Sequence, residues 1–258
     1  MHRCFISRTE ECKGKCKYCF GKWDDYMKFP IPQAVNENTI LYPNCDGDAL
    51  DSHFRDIEEL VNRVAGNQIV VSISTKFDIG ERDLVKLENM NSCLKKKNNG
   101  MLKISVSFSC RESIPVYEPG TGSYEARIRL MKRIVDKNIP YITIIKPLLP
   151  FIDLKEYLEL IDDTVGICPY YVIGDLYVNE DSQFYKEYIE NKFQVHRRPV
   201  SWNGKNGDWI VVENAGMREE VAAYIEKKGG MLFESDKEAI VYLRGSLERG
   251  TGSPLHGY

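Results

Sequence analysis

Cys12-Lys-Gly-Lys-Cys16-Lys-Tyr-Cys19-Phe20 is the stretch on which the reading of this chain turns. Three thiolates so close together can hold three irons of a cubane iron–sulfur cluster and leave the fourth iron without a protein ligand, whereas a closed site normally takes four cysteines. An open iron can accept a small molecule through its own oxygen and nitrogen, much as a catalytic metal keeps one position free where a structural metal does not. The competing reading is a zinc knuckle or a structural loop. Zinc usually draws four ligands from paired CxxC or Cys/His arrangements, yet no His lies between His2 and His53 and no partner CxxC follows. Lys13, Lys15 and Lys17 interleave the cysteines. Positive charge beside thiolates favours the thiolate and suits an anionic cluster or ligand, although solvated surface lysines would read the same way.

Working outward, the chain's 258 residues carry a net charge of −3, with 43% hydrophobic and 28% charged residues. That is the balance of a globular protein with a proper core. No apolar run reaches the ~20 residues that span a bilayer, and the first residues lack a secretory signal. Five further cysteines, Cys4, Cys45, Cys93, Cys110 and Cys168, are scattered singly. Single thiols suit a reducing compartment, so a cytoplasmic home is expected. The slight negative charge speaks against a protein that binds mainly by neutralising phosphates, so a nucleic-acid partner is not favoured.

Strand-like and helix-like segments alternate up to about residue 175. Short strands are expected at Cys4 to Ser7, Thr39 to Tyr42, Gln68 to Thr75, Leu102 to Ser109, Tyr141 to Lys146 and Tyr170 to Ile173, where β-branched residues gather. Apolar spacing near 3.6 predicts helices over Asp51 to Val64, Glu81 to Lys97, Tyr124 to Lys137 and Leu154 to Ile161, with Ser123 and Asp153 as caps. This alternation implies βαβ units and a parallel sheet. Beyond it the texture changes. A helix over Glu180 to Asn191, a turn over Trp202 to Asp208, strands at Asp208 to Val212 and Ala239 to Leu243, and a helix over Gly216 to Lys228 are expected. A core of residues 1–175, an α/β extension over 176–244 that completes or covers it, and a loose Gly-rich tail over 245–258 follow.

The CxxxCxxC spacing with an aromatic residue behind it resembles that of the radical S-adenosylmethionine family. The resemblance implies a partial (β/α)6 barrel of TIM type, a [4Fe-4S] cluster on Cys12, Cys16 and Cys19, and S-adenosylmethionine chelated by the free iron. One electron would then cleave the sulfonium to a 5′-deoxyadenosyl radical, the electron coming from an external donor such as flavodoxin or ferredoxin. Parallel barrels keep their chemistry at the carboxyl ends of the strands, and the cysteine loop directly follows the first strand. Periodicity alone would equally fit a flavodoxin-like sheet.

Within that family, residues 12 to about 150 look like the spore photoproduct lyase branch. The likeness rests on the cysteine run, Cys45-Asp-Gly-Asp48, Thr75-Lys76-Phe77, and Glu118-Pro-Gly-Thr121 with Glu125 and Arg127 behind it. It implies that Tyr18 and Phe20 flank the adenine or the cluster, unless they simply pack the loop. Lys76 would pair with the methionyl carboxylate, since a Lys at the end of an apolar strand requires an anion or a route to water. Ser105, Ser107 and Ser109 share a strand face by period-two alternation, and Ser105 matches the family's ligand-contacting serine. By the same resemblance Ser107 would be a second cofactor contact. Arg127 would hold a carboxylate at the barrel mouth, or lie exposed on its helix. Cys45 matches the cysteine that returns a hydrogen atom to the substrate radical; its alternative is a small half-buried residue at a strand end. Members of that branch repair thymine dimers in DNA, but the shorter amino-terminal region and the unmatched carboxyl-terminal part of this chain speak against dimer repair as its activity. A small-molecule or nucleotide-like substrate is expected instead, with a non-catalytic zinc or electron-transfer protein as the alternative.

Overall fold

In the computed structural model, residues 1–7, 11–19, 30–32, 34–51, 54–64, 68–199 and 208–248 are described. The first six strands are β1 (His2–Ile6), β2 (Thr39–Pro43), β3 (Val70–Thr75), β4 (Met101–Phe108), β5 (Tyr141–Ile145) and β6 (Tyr170–Ile173). The helices among them are α1 (Phe54–Val64), α2 (Glu81–Asn98), a single turn α3 (Ile114–Tyr117), α4 (Tyr124–Asp136) and α5 (Leu154–Thr164). Both expected caps form. Ser123 Oγ accepts from the Ala126 amide at 3.2 Å, and Asp153 accepts from that of Lys155 at 2.9 Å.

Beyond β6 come β7 (Tyr177–Val178), α6 (Gln183–Tyr188), β8 (Val195–Pro199), β9 (Asp208–Val212), α7 (Ala215–Lys227), β10 (Met231–Phe233) and α8 (Asp236–Glu248). The expected strand at Ala239 to Leu243 is instead the middle of α8. Ala239, Ile240 and Leu243 are all buried at helical spacing, so their apolar run served one helix face, a case that periodicity over so short a run does not separate. Helix α8 also carries the chain past Gly245. The turn expected over Trp202 to Asp208 lies outside the described residues except for its last residue, which opens β9.

All seven strands of the main sheet are parallel, in the order β1-β2-β3-β4-β5-β6-β10. Six were expected; Met231–Phe233 adds the seventh beside β6. Spatial order follows sequence order, which a flavodoxin-like sheet, with its switch point, does not do. Successive right-handed crossovers then put the helices that connect its strands on one face, and the twisted sheet curls around the other as an incomplete barrel. Leu102, Ile104, Val106 and Phe108 of β4 face the helices, and each is fully buried. A smaller antiparallel sheet, β7-β9-β8, is appended after β6.

The concave face is polar. Register aligns Ser72 with Lys103, Ser74 with Ser105, Ser105 with Ile142 and Ser107 with Ile144. Lys76, Ser109 and Lys146, one step beyond their strands, continue these rows. At the amino end the face is plugged. Lys103, fully buried, pairs with Asp236 at the start of α8, and Asp236 also accepts from Ser72 Oγ at 3.1 Å. Higher up the face is open, since Ser74, on a central strand, and Lys146 are both exposed.

Candidate functional site

The three cysteines leave β1 at its carboxyl end. Lys15 takes a left-handed conformation, φ 48°, which folds the loop back on itself. A Cβ built on Gly14 would meet Cys12 Sγ at 3.4 Å and Cys16 Sγ at 3.7 Å, so the two sulfurs face a common small cradle. The thiols lie close enough to act on one another electrostatically. Burial pushes the Cys16 thiol up to about 12, with Cys12 and Cys19 adding to the rise. A group that brings positive charge to these sulfurs offsets that cost, as metal binding does by taking thiols as thiolates.

The loop is held from two sides. Lys13 donates its amide to Asp51 Oδ2 at 2.5 Å, while the Lys17 amide bonds to the Tyr117 carbonyl at 2.9 Å and Gly120 donates to the Gly14 carbonyl at 3.1 Å. The donor set is three thiols without histidine. Among the described residues, no three His, Cys, Asp or Glu side chains converge on one point as ligands of a single ion. Cubane ligands sit on separate irons, so three cysteines on one loop are a donor set that fits a cluster with one open corner.

Beside the cysteines, the expected Lys76 is deeply engaged. Its ammonium donates to Tyr18 Oη at 2.8 Å, Ser109 Oγ at 2.7 Å, Glu118 Oε1 at 2.5 Å and the Lys146 carbonyl at 3.3 Å. Tyr18, also expected here, is buried and bonds to Glu118 and to Ser109 at 2.6 Å. Burial and the adjacent Glu118 carboxylate push its hydroxyl well above the usual tyrosine range. Glu118, fully buried, takes Arg127 on its other oxygen. Burial alone would raise the Glu118 carboxyl, but Lys76 and Arg127 hold it down at about 2.

Arg127 does hold a carboxylate, and the carboxylate is the chain's own. It is 0% exposed, with Nη1 on the Ser107 carbonyl at 2.8 Å, Nε on the Gly122 carbonyl at 3.1 Å and Nη2 on Thr121 Oγ1 at 2.6 Å. It is a positioning residue, neither exposed nor at an open mouth. Ser105 is fully buried and bonds to Lys103, toward the plugged end. Ser107 reaches the Lys146 carbonyl at 3.3 Å, and the serine that meets Lys76 is Ser109. Cys45, half-buried, stands just past β2, at the same end of the sheet as the cysteine loop. Phe20 lies outside the described residues.

Sequence reasoning named Glu118 only as part of a motif and missed Asp48 as a brace. Asp48 accepts from the Leu50 and Lys76 amides at 2.9 and 2.6 Å and from Thr75 Oγ1 at 2.8 Å, tying the end of β2 to the end of β3. Burial pushes its carboxyl up to about 6 despite those donors. The signal was the Cys45-Asp-Gly-Asp48 turn, in which aspartates commonly bond nearby backbone.

Solved structures share this architecture. Spore photoproduct lyase complexed with dinucleoside spore photoproduct superposes with a TM-score of 0.60 at 13% identity, over 84% of this chain and 70% of that one. The chain shares the fold of the radical S-adenosylmethionine enzymes. A variant of the same lyase with bound S-adenosylmethionine and dinucleoside spore photoproduct matches with a TM-score of 0.55 at 12% identity, over 87% of this chain and 77% of that one. Streptococcus suis SuiB bound to S-adenosylmethionine has the radical S-adenosylmethionine fold as well, with a TM-score of 0.52 at 12% identity over 90% of this chain; the match spans 49% of SuiB. In sequence, an uncharacterized protein of Methanocaldococcus jannaschii is 23% identical over 206 residues, 73% of this chain and 75% of its own. No family model matches. Among the described residues, no helix is long and apolar enough to cross a membrane.

Proposed function

We propose that the chain is a radical S-adenosylmethionine enzyme. A [4Fe-4S] cluster would sit on Cys12, Cys16 and Cys19, and with S-adenosylmethionine bound it supplies a 5′-deoxyadenosyl radical that removes a hydrogen atom from an organic substrate. The observation that carries this reading is the trio of thiols at the carboxyl end of β1, above a polar concave face that solvent enters at Ser74 and Lys146. Solved structures of the same fold that hold S-adenosylmethionine support it.

The chain's own residues have distinct tasks. Asp51, Tyr117 and Gly120 fix the cysteine loop. Lys76 presents positive charge beside it, kept in position by Glu118, which Arg127 anchors in turn. Tyr18 stands beside the loop, the resemblance would add Phe20 as a second aromatic neighbour of the cofactor, and Ser105 and Ser107 belong to the polar face beneath. Cys45, whose S–H bond is weak, returns a hydrogen atom to the substrate radical. Residues 1–175 form the reaction core, and residues 176–244, which supply the seventh strand of its sheet, complete or cover it. The substrate is a small or nucleotide-like molecule, the electron comes from a flavodoxin- or ferredoxin-like donor, and the scattered single cysteines fit the reducing cytoplasm.

Anaerobic reconstitution with iron and sulfide, followed by dithionite and S-adenosylmethionine, should release 5′-deoxyadenosine, and Cys16→Ala should abolish it. A chain that takes up zinc but no iron, or that loads iron and leaves S-adenosylmethionine intact, overturns the proposal. With a substrate in hand, Cys45→Ala should still cleave the cofactor and yield a different product.

A further inference from the structure

Lys146 follows β5 at the carboxyl end of the sheet, and its backbone is fully used. The amide donates to the Phe108 carbonyl at 2.7 Å, and the carbonyl accepts from Ser109 Oγ at 3.0 Å and from Ser107 and Lys76 at 3.3 Å. The side chain is another matter. No hydrogen bond or ion pair engages its ammonium among the described residues, whereas Lys76 and Lys103 on the same concave face are both paired. It is exposed, yet protein crowds it as it would any group inside a concavity, and that burial pushes its pKa down.

Its course is set by Gly174. A Cβ there would come within 2.5 Å of Lys146 Cγ and 2.6 Å of Cδ, so the stem lies across the end of β6 in the space that a side chain at position 174 would take. The stem thereby runs toward the β6 side of the chamber. The carboxylates that act on its ammonium are already claimed. Asp236 is paired with Lys103, and Asp175 with Arg198 at 2.9 Å and Arg218 at 3.1 Å. Arg218 also donates to the Ile173 carbonyl at 3.2 Å, next to Gly174. Among the described residues, neither carboxylate is therefore free to take the Lys146 ammonium as its own partner. An unpaired ammonium at the open part of a polar concave face is available to an oxyanion, with which it can form a charge-assisted hydrogen bond.

We propose that Lys146 anchors an oxyanion, phosphate or carboxylate, carried by the substrate, on the side of the concave face away from the cysteines. The word substrate rests on the proposed function above; the anion site itself does not. Because the stem runs toward the β6 side, the anion it meets is distinct from one held beside the cysteine loop. An oxyanion here would fix one end of the substrate and so decide which carbon faces the cofactor.

The test uses the full chain without metal, so that it reads independently of cofactor cleavage. An amine-reactive ester labels accessible lysines, and mass spectrometry follows the rate at Lys146 with inorganic phosphate, acetate or S-adenosylmethionine, each against sodium chloride at matched ionic strength. Lys146 should label readily and be protected at least severalfold by phosphate or acetate, the stronger of the two naming the group. Protection by S-adenosylmethionine alone would assign the anion to the cofactor and overturn the proposal, as would labelling indifferent to every anion. In equilibrium dialysis with the protecting anion, Lys146→Gln should lose about tenfold in affinity. Lys146→Arg should keep most of it, and equal loss in both variants argues against charge recognition. Failure of 5′-deoxyadenosine release with intact anion protection would count against the proposed function and leave this site standing.

Discussion

A Cβ placed on Gly120 would lie 2.1 Å from the carbonyl oxygen of Lys13. The loop after α3 and the loop of cysteines therefore touch backbone to backbone, a contact that only glycine permits. Gly120→Ala must push the two apart, with a cost of about 1–3 kcal/mol of the kind seen in overpacked sites. The chain should still fold, but iron uptake in anaerobic reconstitution should drop by roughly half or more as the thiols are displaced. Full iron loading at unchanged rate would show that the contact is not needed to hold the loop.

Glu118 joins two cations, Lys76 and Arg127, in a region closed to water. Replacing it with Gln keeps the shape and removes the charge, leaving a fully buried guanidinium without its carboxylate. We expect a loss of about 3–5 kcal/mol in urea unfolding, the range for breaking a buried pair from one side. A loss under about 1 kcal/mol would place the pair in a wetter setting than its burial implies.

The same carboxyl sets an acid limit. Its pKa in the fold is about 2 against an ordinary 4.5, so in acid the unfolded chain takes up its proton first. The stabilising contribution is complete above about pH 4.5, shrinks as the pH falls, and is gone below about 2. Urea midpoints measured between about pH 6 and 3 should fall more steeply for the natural chain than for Glu118→Gln. Parallel curves would contradict the assignment.

Asp236 and Lys103 meet across the plugged end of the concave face. Asp236→Ala leaves the ammonium of a fully buried lysine with Ser105 as its remaining hydrogen-bonding partner among the described residues, and about 3 kcal/mol of stability should go with it. Adding Lys103→Met should restore most of that loss, because an apolar stem of similar size suits the space. A double variant no better than the single one would mean that Asp236 acts through Ser72 rather than through Lys103.

Iron content separates the cysteines. Changing Cys12, Cys16 or Cys19 singly to Ala should cut reconstituted iron severely, by roughly tenfold if three ligands are required for a stable cluster. Cys93→Ser, on α2 and half-buried, should leave it unchanged. Equal loss across all four would point to iron bound adventitiously.

Much of this was legible from residue order. The six strands, the caps at Ser123 and Asp153 and the cysteine spacing are local signals, written in β-branched runs, capping residues and three thiols within eight positions. The misreading at Ala239 to Leu243 came from a run too short to separate a strand from a helix face. Lys76 announced itself as a charge at the end of an apolar strand, though nothing nearby in the sequence named Glu118 as its partner, 42 residues on.

Sequence alone determined the alternation of elements, and hence a parallel sheet with its loops at one end, because hydrophobic period and turn chemistry act over a few residues. It also determined the donor set, since three cysteines in one loop must emerge together. Only the tertiary structure decided that Arg127 is buried behind Glu118, that Ser105 turns to Lys103 while Ser109 meets Lys76, and that Lys146 crosses Gly174 with its ammonium unclaimed. The physical reason is register and curvature. Ser109 and Lys76 stand 33 positions apart and Ser72 and Asp236 stand 164 apart, and the packing of the whole sheet brings each pair within reach.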